Sequence, residues 1–285
     1  MLDYQAVRNR TFARTVESYA QADAIGFARA CGIGLPGPLS AREDNFINPG
    51  PNLQVLPMYA IMLGLDGMWT QDPATGIDWT KTVHAEEAIR MGGVLPAAAT
   101  VAARRSVDAV YDKGPGRGAL MYETNRLEVD GRPAATVTVG TFLLGDGGFS
   151  AAGGGDAGGP PPAHATPCDR APDRTIELAT VREPLELYRL APEFVAAVGV
   201  PVPEGEAMLR GVCSFGMAGR AAMALVCSGD PTRFKALGVR YAGPIMTGET
   251  VRLEMWDEAP GKASFVMRAV ERDVLVLKNG YIEYV

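Results

Sequence analysis

Two stretches of the chain are apolar almost all round. Residues 56–69 read Leu-Pro-Met-Tyr-Ala-Ile-Met-Leu-Gly-Leu-Asp-Gly-Met-Trp. Pro57 falls in what would be the first turn, where its missing N–H costs nothing, so the pattern predicts a buried helix. Residues 208–226 are apolar and small, and predict a second buried helix. Elsewhere apolar runs are short and bounded by turn residues, which predicts strands. In the first half these are residues 101–111, 119–129 and 134–144. In the second half they are residues 234–241, 250–257, 263–271 and 274–284. Turn signals stand between them at 113–118, Asp130-Gly131, Thr247-Gly248, Pro260-Gly261 and Asp273. A buried helix followed by antiparallel strands, twice over, predicts an α+β protein of two similar halves.

The halves are separated by a change of composition. Thirteen of the 28 residues from 145 to 172 are Gly or Pro, and Phe149 is the one large apolar side chain. Such a run buries too little surface to offset its ordering entropy, which predicts a mobile linker or a long overhanging loop. The expected division is a first unit at 1–145, a linker at 146–174 and a second unit at 175–285. The string Gly145-Asp-Gly-Gly-Phe149 lacks the Lys-Ser/Thr and helix that a phosphate loop needs.

Composition removes several function classes. Of 285 residues, 47% are hydrophobic and 21% charged, which excludes disorder along the whole chain. Lys plus Arg total 27 against 33 Asp plus Glu, a net charge of −6, and no basic block occurs. Nucleic acid is therefore not an expected partner. No run of eighteen apolar residues predicts a membrane span. Cys31, Cys168, Cys213 and Cys227 lack metal or disulfide spacing and read as reduced, partly buried thiols, so no metal is expected. Neither terminus carries a recognisable targeting signal, which predicts a soluble cytoplasmic protein. His84 and His164 are the only histidines, which limits any chemistry that needs an imidazole.

Longer strings are more specific. They are Val110-Tyr-Asp-Lys-Gly-Pro-Gly-Arg-Gly-Ala-Leu120, Leu209-Arg-Gly-Val-Cys-Ser-Phe-Gly-Met-Ala-Gly-Arg220 and Val239-Arg-Tyr-Ala-Gly-Pro-Ile-Met-Thr-Gly-Glu-Thr250, with Glu254-Met-Trp256 and Asn279-Gly280 after them. Together, over roughly residues 19–285, they resemble the hydratase-2 branch of the MaoC-like dehydratases, the (R)-specific 2-enoyl-CoA hydratases. The resemblance implies a double hotdog, two units that each wrap an antiparallel sheet around a long helix. It implies an acyl tail in the first half and catalysis in the second. The implied reaction adds water to, or removes it from, the α,β double bond of an acyl-CoA or acyl-carrier thioester, without a cofactor. Hotdog proteins associate, so a homodimer or a hotdog partner subunit is expected.

Such a reaction needs N–H donors at the thioester oxygen and an acid–base pair. The family places an Asp and a His on a segment of the form Tyr-Arg-Leu-Ser-Gly-Asp-x-Asn-Pro-Leu-His-x-Asp-Pro. Here the corresponding residues are Leu187-Tyr-Arg-Leu-Ala-Pro-Glu-Phe-Val-Ala-Ala-Val-Gly199. Tyr188-Arg189-Leu190 and Pro192-Glu193-Phe194 match, but neither Asp nor His stands between them. The family's Leu-His-Gly is Leu209-Arg210-Gly211.

The candidate site residues are accordingly few. By resemblance, the Gly211 N–H serves the oxyanion; otherwise it is a packing glycine at the helix start. Arg210 is a candidate for stabilising an enolate, or a salt-bridged replacement for the lost histidine. Glu206, and less so Glu204, could act as a base if buried; otherwise they are solvated acids. His84, in a Val-His-Ala-Glu-Glu string, reads as a structural histidine with a satisfied hydrogen bond, or as a substitute base. His164 reads as solvated. The expected function is a divergent enoyl-CoA hydratase or acyl-thioester dehydratase without the usual Asp/His mechanism. The alternatives are a non-catalytic acyl-thioester binder or partner subunit, and an isomerase or cyclase acting on a polyketide-like thioester.

Overall fold

The computed structural model describes residues 2–65, 67–167 and 169–285. In chain order the elements are α1 (Tyr4–Arg8), β1 (Thr15–Tyr19), α2 (Gln21–Ala30), β2 (Thr82–Met91), β3 (Ala99–Asp112), β4 (Ala119–Val129) and β5 (Arg132–Leu143). The second half continues with β6 (Arg174–Ala179), α3 (Pro192–Val198), α4 (Gly211–Val226), β7 (Phe234–Tyr241), β8 (Thr250–Ala259), β9 (Lys262–Ala269) and β10 (Val274–Tyr284). All ten strands form one sheet in the order β1-β3-β4-β5-β2-β7-β10-β9-β8-β6. Each half has the same internal order, and β2 pairs antiparallel with β7 at the seam.

Local chemistry explains the hairpins. Asp130 and Gly131 both take positive φ, 52° and 71°, the geometry of a tight turn whose twist matches the flanking strands. α4 lies against one face of the sheet and is apolar nearly all round, so it is buried along most of its length. Its small residues let other segments approach closely. A Cβ at Gly216 would strike Cys31 Sγ, and one at Gly219 would strike the Met58 side chain. Arg220 carries the helix's one charge and is 4% exposed. It donates from Nε and Nη2 to Glu43 at 2.8 and 2.6 Å, and from Nη1 to the Cys31 carbonyl at 2.9 Å. A buried charge with this complete set of partners ties α4 to the long connection between β1 and β2.

The helix expected over residues 56–69 does not form. A six-residue 3-10 helix, Pro57–Met62, is followed by extended Leu63, and Trp69 begins a separate turn. Gly64 and Gly67 take φ of 71° and 84°, which breaks helical continuity. Gly64 is required sterically as well, because a Cβ there would strike the Ala103 side chain. Apolarity was correctly read as burial, but the burial belongs to the 3-10 helix and to Leu63, while Leu65 and Met68 in the overhang that follows are exposed.

The Gly/Pro-rich segment is held down at several points. Phe149 is buried and stacks on Tyr4 at 6.0 Å. Partial burial would raise the Asp112 pKa, yet N–H groups of Gly148, Ser150 and Gly114 outweigh it and hold the carboxyl at about 2. Asp156 takes hydrogen bonds from Arg8 and the Val110 N–H. His164, expected to be solvated, has Nε2 2.8 Å from Glu258 and its ring 5.3 Å from that of Tyr281. Cys31, Cys213 and Cys227 are buried free thiols, and Cys168 lies outside the described residues. Among the described residues no helix is long and apolar enough to cross a membrane.

Candidate active site

The site grows from an irregularity in β2. Along an ideal strand His84 would share a face with Glu86. Here His84 pairs with Thr141 while Glu86 pairs with the next residue, Gly140, so Ala85 is an extra residue, a β-bulge. The bulge turns His84 and Glu87 to the same face. His84 Nε2 lies 3.2 Å from Glu87 Oε2. Glu86 instead points to the opposite face and pairs with Arg240 at 2.7 Å.

Glu87 is 2% exposed. Burial raises its carboxyl pKa to about 8, against the lowering effects of the Tyr241 hydroxyl and the Arg210 charge. Burial also lowers the His84 imidazole to about 4, and the Arg210 charge adds to this. Both groups are therefore neutral near pH 7: His84 has a free lone pair and Glu87 holds a proton. The Tyr241 hydroxyl lies 3.0 Å from Glu87 Oε2 and 3.1 Å from the Gly211 carbonyl. With Glu87 protonated, one chain of donors runs from the carboxyl to the tyrosine to the carbonyl. His84 Nε2 has no correctly aligned hydrogen-bond partner among the described residues.

Across from this pair stands the start of α4. Arg210 is its N-cap and caps it with no side-chain bond. The N–H groups of the first turn have no acceptor within the helix, and they carry the positive end of its dipole. Gly211 packs closely under the Tyr241 ring, where a Cβ would lie 3.1 Å from it and push it aside. Arg210 donates from Nη1 to the Leu187 carbonyl at 2.9 Å, which holds the guanidinium at the cavity edge.

His84, Glu87, Arg210 and Val212 line one cavity of about 290 Å³. Its remaining wall is largely apolar, with Ile61, Leu63, Met68, Trp69, Val137 and Val139 from the overhang and the first-half sheet. A larger groove of about 740 Å³ runs between α2 and residues 181–188. Its charged residues, Arg29 and Glu183, are exposed, and its buried Tyr188 hydroxyl is pushed well above the usual phenol range by burial.

The structure thus brings Arg210 and Gly211 together with His84, which is not the satisfied structural histidine of the first expectation. Glu204 and Glu206 are exposed and do not line the cavity. Sequence reasoning passed over Glu87 and Tyr241. The signal was faint: Glu87 stands three residues from His84, a spacing that shares a face in a strand only when a bulge intervenes.

Comparison with known proteins bears on this geometry. The chain matches no family model. It is 30% identical over 284 residues to 3-hydroxyacyl-thioester dehydratase Y of Mycobacterium tuberculosis, covering 92% of each chain. It is 27% identical over 243 residues to the peroxisomal multifunctional enzyme type 2 of Drosophila melanogaster, and spans 39% of that protein's length. Among solved structures, a MaoC-like dehydratase of Phytophthora capsici matches with a TM-score of 0.81 at 26% identity, over 100% of this chain and 99% of that one. A double-hotdog protein of M. tuberculosis shares the fold, with a TM-score of 0.53 at 15% identity. The α+β double hotdog expected from the sequence is the fold observed.

Proposed function

Since the chain belongs to the MaoC-like hydratase 2 family, we propose that it hydrates 2-enoyl thioesters and dehydrates 3-hydroxyacyl thioesters, with His84 and Glu87 as its acid–base pair. The usual Asp/His pair of the second half is replaced, on this reading, by two residues of the first. One observation carries it: the 3.2 Å contact between these side chains, on a cavity wall that faces the first turn of α4.

The chemistry follows from the protonation states. The thioester oxygen accepts N–H groups of Gly211 and the next residue, where the helix dipole stabilises developing enolate charge. Neutral His84 takes a proton from water as the water oxygen bonds to the β-carbon. The electron pair of the double bond moves toward the α-carbon and the thioester oxygen. Protonated Glu87 gives its proton to the α-carbon. The His84 proton then passes to Glu87 across their contact, and the pair is restored. Dehydration is the same sequence reversed. Arg210 opposes protonation of His84 and adds positive potential near the oxyanion.

A second reading is favoured by residues 187–199, which contain neither Asp nor His: a non-catalytic binder of acyl thioesters or a hotdog partner subunit. Hydration of trans-2-enoyl-CoA by the purified protein separates the two. Turnover is expected, with His84→Ala and Glu87→Gln each lowering kcat/KM by roughly 10²–10⁴-fold and Glu206→Ala leaving it unchanged. The kcat/KM profile should hold a plateau between pH of about 4 and about 8 and fall above it. Full activity in His84→Ala would sink the acid–base assignment. Acyl-CoA binding without turnover in the wild type would favour the non-catalytic reading. Assembly as a homodimer or with a partner subunit belongs to the same proposal, and sedimentation tests it.

A further inference from the structure

One hydroxyl stands between the buried acid and the start of α4. The Tyr241 oxygen, at the end of β7, lies 3.0 Å from Glu87 Oε2 and 3.1 Å from the Gly211 carbonyl oxygen. A phenol has one proton to give, and a carbonyl has none. Both contacts are hydrogen bonds at once only when Glu87 is protonated and donates to the tyrosine. Against a carboxylate, the two oxygens compete for the single phenol proton, and the charged one makes the stronger bond. The direction of the phenol proton therefore follows the charge of Glu87.

The surroundings keep this arrangement simple. The Tyr241 ring centroid is 4.8 Å from that of His84, and the ring covers Gly211. Burial, and Glu87 beside it, push the phenol well above its usual range, so it keeps its proton while the acid titrates. The other ionisable groups about the acid are His84 on its own strand, Arg210 and Cys213 at the start of α4, and Arg105 and Glu123 on the cavity wall from β3 and β4. Burial pushes the Cys213 thiol up to about 12, so it stays neutral.

The Gly211 carbonyl belongs to the same peptide unit as the Val212 N–H, and Val212 lines the cavity. Among the described residues neither the Gly211 nor the Val212 N–H has an acceptor. A hydrogen bond to a peptide carbonyl polarises the unit and strengthens its N–H as a donor. We infer that Tyr241 is a positioning residue that couples the proton on Glu87 to the strength of the oxyanion donor at Val212. This rests on reading the cavity as the acyl-thioester site, and adds how acid and donor are made ready together. With Glu87 protonated, the tyrosine donates to the carbonyl and the Val212 N–H is at its strongest. Once the acid has protonated the α-carbon, the phenol turns to the carboxylate, and the N–H weakens as the enolate it held is consumed.

The test reads the donor through the carbonyl stretch of hexanoyl-CoA, isotopically labelled at the carbonyl carbon and bound to the wild type, Tyr241→Phe and Glu87→Gln. Phe keeps the ring, and Gln keeps a donor toward the tyrosine. In the wild type the bound stretch is expected below that of the free thioester, and to move back toward it as pH rises through about 8. Glu87→Gln should hold the low frequency across that range. Tyr241→Phe should stay nearer the free value at every pH. Its kcat/KM on hexenoyl-CoA should fall roughly ten-fold. The high-pH limb of its profile should move upward, because the hydroxyl no longer favours the carboxylate. A stretch in Tyr241→Phe equal to that of the wild type overturns the inference, whatever the turnover. A wild-type stretch that ignores pH does so without any variant. The expected shifts without turnover would sink the hydratase reading and leave this one standing. Failure to bind hexanoyl-CoA would sink both.

Discussion

The two halves of the sheet run their strands in the same order, but they fill their shared face differently. In the second half, the sixteen-residue α4 fills it with side chains. In the first half, the connection between β1 and β2 supplies α2, a six-residue 3-10 helix and an extended overhang. The overhang covers the sheet without filling the space beneath it, and the cavity lies there. One long helix then serves both halves. Its flank supports the 3-10 helix, and its first turn points N–H groups toward a cavity where His84 and Glu87, the proposed acid–base pair, stand on the other half's seam strand. Duplication of a fold does not require duplication of its contents, and the half that loses a helix gains room for a ligand.

The difference can be broken at three places. The largest stability effect is expected where α4 is tied to the first half's connection. Arg220→Ala leaves the Glu43 carboxylate buried without its cation, which should cost about 3–5 kcal/mol, read from urea denaturation. A loss below about 1 kcal/mol would show that the overhang docks by apolar packing alone. Gly64→Ala attacks the overhang from the other side. Its positive φ and the crowding by Ala103 and Asn125 should together cost about 2–4 kcal/mol. KM for long acyl chains should rise more than KM for short ones.

The smallest effect is a pH signature of the seam pair. The folded pKa of Glu87 is raised to about 8, and that of His84 is lowered to about 4. Between the unfolded carboxylate value of about 4.3 and the unfolded imidazole value of about 6.5, folded and unfolded chains each hold one proton on these groups. Their contribution to stability is flat there. From about 6.5 to about 8 only the folded state keeps a proton, so stability falls with rising pH by about 2 kcal/mol. Glu87→Gln should remove that fall in denaturation midpoints across this range. An unchanged slope would mean that the carboxyl titrates in its ordinary range.

The second half was the more legible in sequence. Four of its five strands and α4 repeat a simple logic of buried runs between turn residues, and the structure reproduces them to within a few residues; β6, at the sheet edge, was not read. The first half was harder because two local signals conflict with the fold. Residues 56–69 carry helical apolarity, and only Gly64 and Gly67 mark the break. β2 was not read as a strand, because its bulge interrupts alternation and its central position allows charge on both faces. That same strand bears His84 and Glu87, so the missed element and the missed chemistry have one cause. Arg210 and Gly211 were legible because they sit in a string tied to a helix start.

The seam also bears on how the chain folds. The Tyr241 hydroxyl reaches Glu87 across 154 positions of sequence. During synthesis β2 can pair with β5 once the first half has emerged, but its other edge stays open until β7 follows. A central strand of the finished sheet is thus an exposed edge for most of translation, and an open edge is a template for pairing with a neighbouring chain. Non-local closure of this kind is slow. Glu86 on β2 and Arg240 on β7, paired at the seam, put a charge on each edge before they meet, the kind of residue that discourages edge-to-edge pairing. Pairing of β7 with β2 and the assembly of the cavity wall are then the same event, because the strand that joins the two halves also delivers the tyrosine to the acid.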